Sequence, residues 1–535
     1  MSFLRRPFSR RTPDVNHDDN SGHESDVTDG SLHYVVEKGG NDSGPSYQEA
    51  TGAPVETSSP LGYSVGPITI IFLNISKMIG TGVYSTRSVG LSMIYWALGF
   101  LTSIASFSVY LEFASYFPNR SGSEVVYLEQ AWPRPKWLFP TAFAFQSVAL
   151  SFSSGNAIVV ALNNTFAYRF SNGVGVVKLA TLVFIAITGL VVLGGHTNVP
   201  EPHANFQDPF EGKATAYGLT NALYRIIFSY AGFENAFNVV NEVKDPIRQI
   251  RKNGWIALAI VTVLYILANI AYFAAVPKAD LAAAKEIAAS LFFENVFGSS
   301  RAVRGLNFLI ALSSFGNLLT VLIGSSRMLR ECGRFWASTR PFGTTLGPYL
   351  VKWILTVVMV VAPPAGDAFN FIADLQVYPS AFFGFVMSVG LYVVRWRRKR
   401  LNLPQPTFKA WDVIIIFNIA KDVYLLIMPW YPPDGGVFAG DVSFWYATYV
   451  VAGIGILVGC GIYYWLWIYA VPKLKGYEIR QQVLELADGA QSHKLVKVPI
   501  AELAEWDATH DQVGRPLQQT PSEQVTEEEK KGLGV

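Results

Sequence analysis

The chain has 535 residues, 50% of them hydrophobic and 15% charged, with a mean hydropathy of +0.27. That balance excludes a soluble enzyme and belongs to a protein that threads a bilayer many times. A net charge of +2 with no basic domain argues against a nucleic-acid partner, and two cysteines are too few for a disulfide framework. The seven histidines form no HxxxH or HExxH pair, and no GxxxxGK[ST] loop is present, so neither a metal site nor ATP-driven pumping is supported.

Residues 1–64 are rich in Ser, Gly, Asp, Asn and Pro and lack apolar periodicity, so they read as a disordered cytoplasmic tail. Its acidic stretch, DVNHDDNSGHESDVTDGS, is a solvating segment open to phosphorylation. No cleavable leader opens the chain, and the first span is expected to direct its own insertion.

Apolar runs follow at 67–87, 91–116, 137–162, 174–194, 218–241, 254–276, 302–328, 347–363, 368–395, 411–429 and 442–471. Each is long enough to cross a bilayer as a helix, which takes about 20 residues. The transmembrane domain is therefore placed at 65–471, as an all-α polytopic bundle, with a cytoplasmic tail at 472–535. Within that tail a weak periodicity from Ile479 to Leu486 predicts a short amphipathic helix on the membrane.

Two of the runs are interrupted. The first, ITIIFLNISKMIGTGVYSTRSV from Ile68 to Val89, contains Ile79-Gly80-Thr81-Gly82 at mid-depth. Each glycine weakens a helix by roughly 1 kcal/mol and lets the backbone leave helical geometry. Unwound backbone inside a membrane is tolerated only where protein or a polar cavity surrounds it. A glycine pair that only packs helices closely is the competing explanation. The second, 218–241, carries Ile227-Phe228-Ser229-Tyr230-Ala231-Gly232-Phe233-Glu234-Asn235, a small and polar patch with an acid at membrane depth. Interrupted segments in corresponding places are the sequence mark of an inverted-repeat transporter with its site between the repeats.

Basic connections fix the orientation. Those holding Lys244 to Lys252, Arg327 to Arg340 and Arg395 to Arg400 should be cytoplasmic, as should Pro118 to Lys136. Two cytoplasmic connections must be an even number of crossings apart. Between Lys136 and Lys244 only three runs are found, and the linker Asn163 to Gly173 is too short to hide a fourth.

The stretches ISKMIGTGVYST, GVVKLATLVFIAITGLVVLGG and FSYAGFENAFNVVNEVKDPIR resemble the amino acid–polyamine–organocation superfamily. Within its L-type amino acid transporter branch they are most similar to the fungal high-affinity methionine permeases. The resemblance covers about residues 65 to 470 and implies a LeuT-type bundle of 5+5 inverted repeats. Most members have twelve spans. Here the fourth is missing, leaving about eleven, through an incomplete gene model, a genuine variant or a degenerate paralogue.

The resemblance further implies a secondary transporter that imports a neutral amino acid, methionine expected, with a proton as the coupling ion and no cofactor. An amino-acid sensor, or an inactive or incomplete paralogue, is the alternative. The substrate carboxylate would lie on the N–H groups around Gly80, Thr81 and Gly82, and its ammonium against carbonyls near Ile79 and Phe228. Phe228 corresponds to an aromatic gate, while Ala231, Gly232 and Phe233 would shape a side-chain pocket, with Gly232 leaving room for methionine. Lys178 stands where relatives without a sodium site carry a lysine, and a buried ammonium there could exchange a proton. Snorkelling to the interface is its bland alternative. Lys77 either pairs with an acid such as Glu234 or snorkels, and Glu112 and Glu124 are expected to hold cytoplasmic ends by ion pairs. The animal relatives join a heavy chain through an external cysteine. The matching region lacks one here, so the partners expected are the amino acid and membrane lipid, in a multi-pass protein of the plasma membrane with a cytoplasmic N-terminus.

Overall fold

The computed structural model describes residues 24–28, 32–40, 43–49, 62–79, 89–150, 164–197, 199–210, 215–283, 288–298, 301–334, 368–440, 442–485, 491–511 and 514–517, with a few isolated positions besides. Helices make up the membrane domain. In chain order they are α1 (Pro67–Met78), α2 (Val89–Tyr116), α3 (Glu124–Ala131), α4 (Leu138–Ala149), α5 (Asn164–Leu193) and α6 (Ala216–Tyr230). A 3-10 helix (Phe233–Glu242) follows, then α7 (Pro246–Ala275), α8 (Arg301–Arg334), α9 (Ala368–Arg400), α10 (Asp412–Ile427) and α11 (Thr448–Trp465).

Among the described residues six helices are long and apolar enough to cross a membrane: those over 89–116, 168–193, 246–275, 371–400, 412–430 and 448–475. Eleven spans are not what length and composition give here. The run 347–363 falls almost wholly outside the described residues, and 137–162 is described only to Leu150. The fifth run is cut in two at Ala231 and Gly232, and the first is described only to Ile79, as a single short helix. The linker expected over 163–173 is helix instead, since α5 begins at Asn164. Its apolar face simply starts later than its backbone hydrogen bonding does.

The expectation of a structureless N-terminal tail also needs correction. Strands β1 (Glu24–Thr28), β2 (His33–Glu37) and β3 (Ser46–Glu49) form an antiparallel sheet, and it is anchored to the bundle. Glu49 N–H donates to Gln130 Oε1 at 2.9 Å, and Arg398 donates to the Tyr47 carbonyl at 3.0 Å. The expected amphipathic helix near Ile479 is a strand as well. β4 (Tyr477–Glu485) pairs antiparallel with β5 (Gln491–Pro499). Tyr477, Ile479, Gln481 and Val483 are all buried, a period of two that places them on one strand face. The two tails meet, Arg515 pairing with Glu37 at 2.5 Å and Gln481 donating to the Gly52 carbonyl at 3.1 Å.

The core of the bundle is α1, which packs on α7, α5, α8 and the 3-10 helix. Pro67 opens it at a position where the missing N–H costs nothing. Farther out, α2 and α9 are clamped by Arg395, which grips both oxygens of Glu112 at 2.7 and 2.6 Å. Glu112 thus holds a helix end by an ion pair, as expected.

Candidate functional site

Both interrupted helices are broken where the sequence places the interruptions. α1 stops at Met78, and Ile79 turns to extended backbone (φ −72°, ψ 96°). α6 stops at Tyr230, Ala231 is extended, and Gly232 takes φ +145°, a conformation that favours glycine. The two breaks lie against each other. A Cβ on Gly232 would sit 2.7 Å from the Met78 nitrogen and 2.9 Å from the Lys77 carbonyl carbon.

An interrupted helix leaves its last carbonyls without partners, and in lipid no water can supply them. Here other helices do. Lys178, from α5, is 1% exposed, and its Nζ donates to the carbonyls of Ser76 at 2.7 Å and Ile79 at 2.9 Å. Asn317, from α8, donates to the Lys77 carbonyl at 2.6 Å. Tyr265 Oη, from α7, reaches the Met78 carbonyl at 2.6 Å and the Ser229 carbonyl at 3.1 Å, so one hydroxyl spans both breaks. A cation at the end of α1 also meets the negative end of its helix dipole. Lys178 therefore does not snorkel.

Lys77 is paired: its Nζ lies 2.7 Å from Glu234 Oε1. The other oxygen of Glu234 accepts the Gly232 N–H at 2.7 Å, so the ion pair also fastens the turn between α6 and the 3-10 helix. Asn74 and Asn235 complete the seam. Asn74 Oδ1 accepts the Ala236 N–H at 3.2 Å, and Asn235 Nδ2 reaches toward the Leu73 carbonyl at 3.4 Å.

Several expected site residues are placed differently from the sequence reading. Gly80, Thr81 and Gly82 lie outside the described residues. Gly232 opens no side-chain pocket, because the backbone of α1 fills the space beside it. Phe233 packs edge-on against Phe107 and Tyr110 of α2, at 6.3 and 5.7 Å between ring centres. Phe228 is half-buried beside an apolar cluster that includes Tyr224 and Leu425, and its carbonyl accepts the Ala231 N–H at 3.1 Å. Glu124 does not follow Glu112 in pairing with a basic residue at a helix end, since its hydrogen bond comes from the phenol of Tyr110. The sequence reading missed Tyr265, Asn317 and Asn74, and it placed Asn235 in the interrupting patch without giving it a role. The one available signal was the polar residue within each apolar run.

Two helix ends in contact inside a bundle of membrane-length helices fit a membrane transporter. The chain belongs to the amino acid permease family, whose model matches residues 65–169 and 155–457. It is an amino acid transporter and not an enzyme. It is 31% identical over 501 residues to the high-affinity methionine permease of Saccharomyces cerevisiae, covering 84% of this chain and 87% of that one. The low-affinity methionine permease of the same yeast is 22% identical, over 82% of this chain and 89% of its own. The b(0,+)-type amino acid transporter 1 of Rattus norvegicus is 27% identical, over 68% of this chain and 82% of its own.

Proposed function

We propose that the protein imports methionine, or a neutral amino acid of similar size, together with a proton. The observation that carries this reading is Lys178, a buried ammonium that, among the described residues, is held by the carbonyls of Ser76 and Ile79 at the end of α1. It occupies the space a coupling cation would need, and it ties α5 to the helix that must move. The likeness to two methionine permeases supports the choice of substrate.

In this reading the substrate carboxylate sits on the N–H groups following the α1 break, Gly80 to Gly82, where anions are favoured. Its ammonium lies against the carbonyl ends near Ile79 and Phe228, with Phe228 closing over it. Alternating access tilts the α1 and α6 pair within 5+5 repeats, and the Lys77–Glu234 pair moves with it. The basic connections put both tails in the cytoplasm of a plasma-membrane protein that needs no disulfide-linked heavy chain.

Uptake of radiolabelled methionine in a transport-deficient host tests this. Saturable uptake that collapses with a proton uncoupler is expected. Saturable binding without flux would instead establish a sensor.

A further inference from the structure

Beside Lys77 and Glu234 the fold brings a second carboxylate that the proposed cycle has not used. Glu124 opens α3 and accepts a hydrogen bond from Tyr110 Oη of α2 at 2.7 Å. Glu234 and Lys77 both act on its charge. Burial first, and Glu234 second, hold the Glu124 carboxyl above the usual carboxylate range, against the Tyr110 hydrogen bond and Lys77, which draw it down. Tyr127, three residues on and so on the same helix face, is 1% exposed and also interacts with the Glu124 charge. Among the described residues its Oη has no hydrogen-bond partner, nor has Ser123 Oγ next to Glu124.

The groups facing Glu124 are therefore Lys77 from α1, Tyr110 from α2, Glu234 from the 3-10 helix and Tyr127 from its own helix. Lys77 is paired with Glu234 at 2.7 Å and reaches Glu124 only as a weaker, more distant charge, so the two carboxylates there outnumber the ammonium. A buried carboxylate in that position sheds its charge by binding a proton. Both states have a partner in the same phenol: the ionised group accepts from Tyr110 Oη at 2.7 Å, and the protonated group donates to that oxygen once the hydroxyl proton turns away.

We infer that Glu124 carries the coupling proton, so that its carboxylate gains the O–H bond on one side of the membrane and loses it on the other. No electrons move, and one proton crosses for each cycle. The inference rests on the proton-coupled reading above and adds where the proton resides. A sodium ion would satisfy the same charge count, and a sodium gradient is therefore one arm of the test.

The full chain in proteoliposomes tests it, with radiolabelled methionine as the probe. With acid outside, the wild type should concentrate methionine about tenfold per unit of pH gradient at one proton per substrate. Glu124→Gln should lose that concentration, to about onefold, while methionine counterflow without a gradient persists. Tyr110→Phe should still concentrate methionine but shift its half-maximal pH upward, because the ionised acid loses its donor. Glu124→Gln that concentrates methionine like the wild type overturns the inference and leaves proton coupling standing. Concentration driven by a sodium gradient overturns it too. A wild type that exchanges methionine but ignores the pH gradient refutes proton coupling itself. Should Glu124→Gln fail to fold, an unmoved pH midpoint in Tyr110→Phe refutes the inference.

Discussion

Lys178 and Lys77 stand on either side of the unwound end of α1, and they are held in opposite ways. Lys178 meets only backbone carbonyls, at 2.7 and 2.9 Å, and is buried. Lys77 meets Glu234 at 2.7 Å, in a position where its side chain is 20% exposed. The first is a cation stabilised by helix dipoles, the second a cation stabilised by an anion. Dipoles fixed in a backbone cannot leave, whereas a carboxylate can be neutralised by a proton. The contrast separates a brace from a switch, and each side fails differently when cut.

Lys178→Met should have the largest effect. It strips the Lys178 donor from the Ile79 carbonyl, at a cost of roughly 1–3 kcal/mol when a buried carbonyl is left unpaired, and leaves the Ser76 carbonyl only the longer bond from Asn317 at 3.3 Å. Methionine uptake should fall to background and thermal stability should drop. Unchanged uptake with an unchanged pH profile would remove Lys178 from the mechanism.

Gly232→Ala should follow closely. Its φ of +145° is strained for any side chain, and the added Cβ meets backbone rather than a movable side chain. Uptake should fall at least about tenfold while the protein still reaches the membrane, as read by surface labelling. A Gly232→Ala protein that transports normally would mean that the two breaks separate more easily than this packing allows.

Cutting the other side should cost less. Glu234→Gln leaves Lys77 short of its partner, and breaking a buried pair costs about 3 kcal/mol at most here, with both side chains partly exposed. Combining it with Lys77→Gln should recover part of the loss in detergent melting experiments, since neither charge is then stranded. Additive losses would show that the pair is not coupled. Tyr265→Phe comes last. Losing one hydroxyl that reaches Met78 and Ser229 should cost about 1 kcal/mol and slow uptake only a few-fold.

The interruptions themselves were legible because glycine and buried acids are local signals. Gly232 and Glu234 announce a broken helix without any knowledge of their neighbours. The tails were misread for the opposite reason. Tyr477, Ile479, Gln481 and Val483 alternate, but a polar member hides the alternation, and only burial against other segments reveals it. Glu124 and Glu112 look alike in sequence, each an acid beside the second span, yet one faces Arg395 and the other a phenol and a carboxylate.

By itself, then, the sequence determined that this chain lives in a bilayer, where its helices stop short, and which family it resembles. Those properties follow from hydropathy and backbone freedom, which act over a few residues. Which groups close the broken ends was decided only in three dimensions. Lys178, Tyr265 and Asn317 lie 99 to 240 positions from the α1 carbonyls they reach, except that Tyr265 is 187 away from Met78 but only 36 from Ser229. A hydrogen bond is blind to such separations, so the order of residues announced neither Tyr265 nor Asn317, and Lys178 was singled out only through the resemblance.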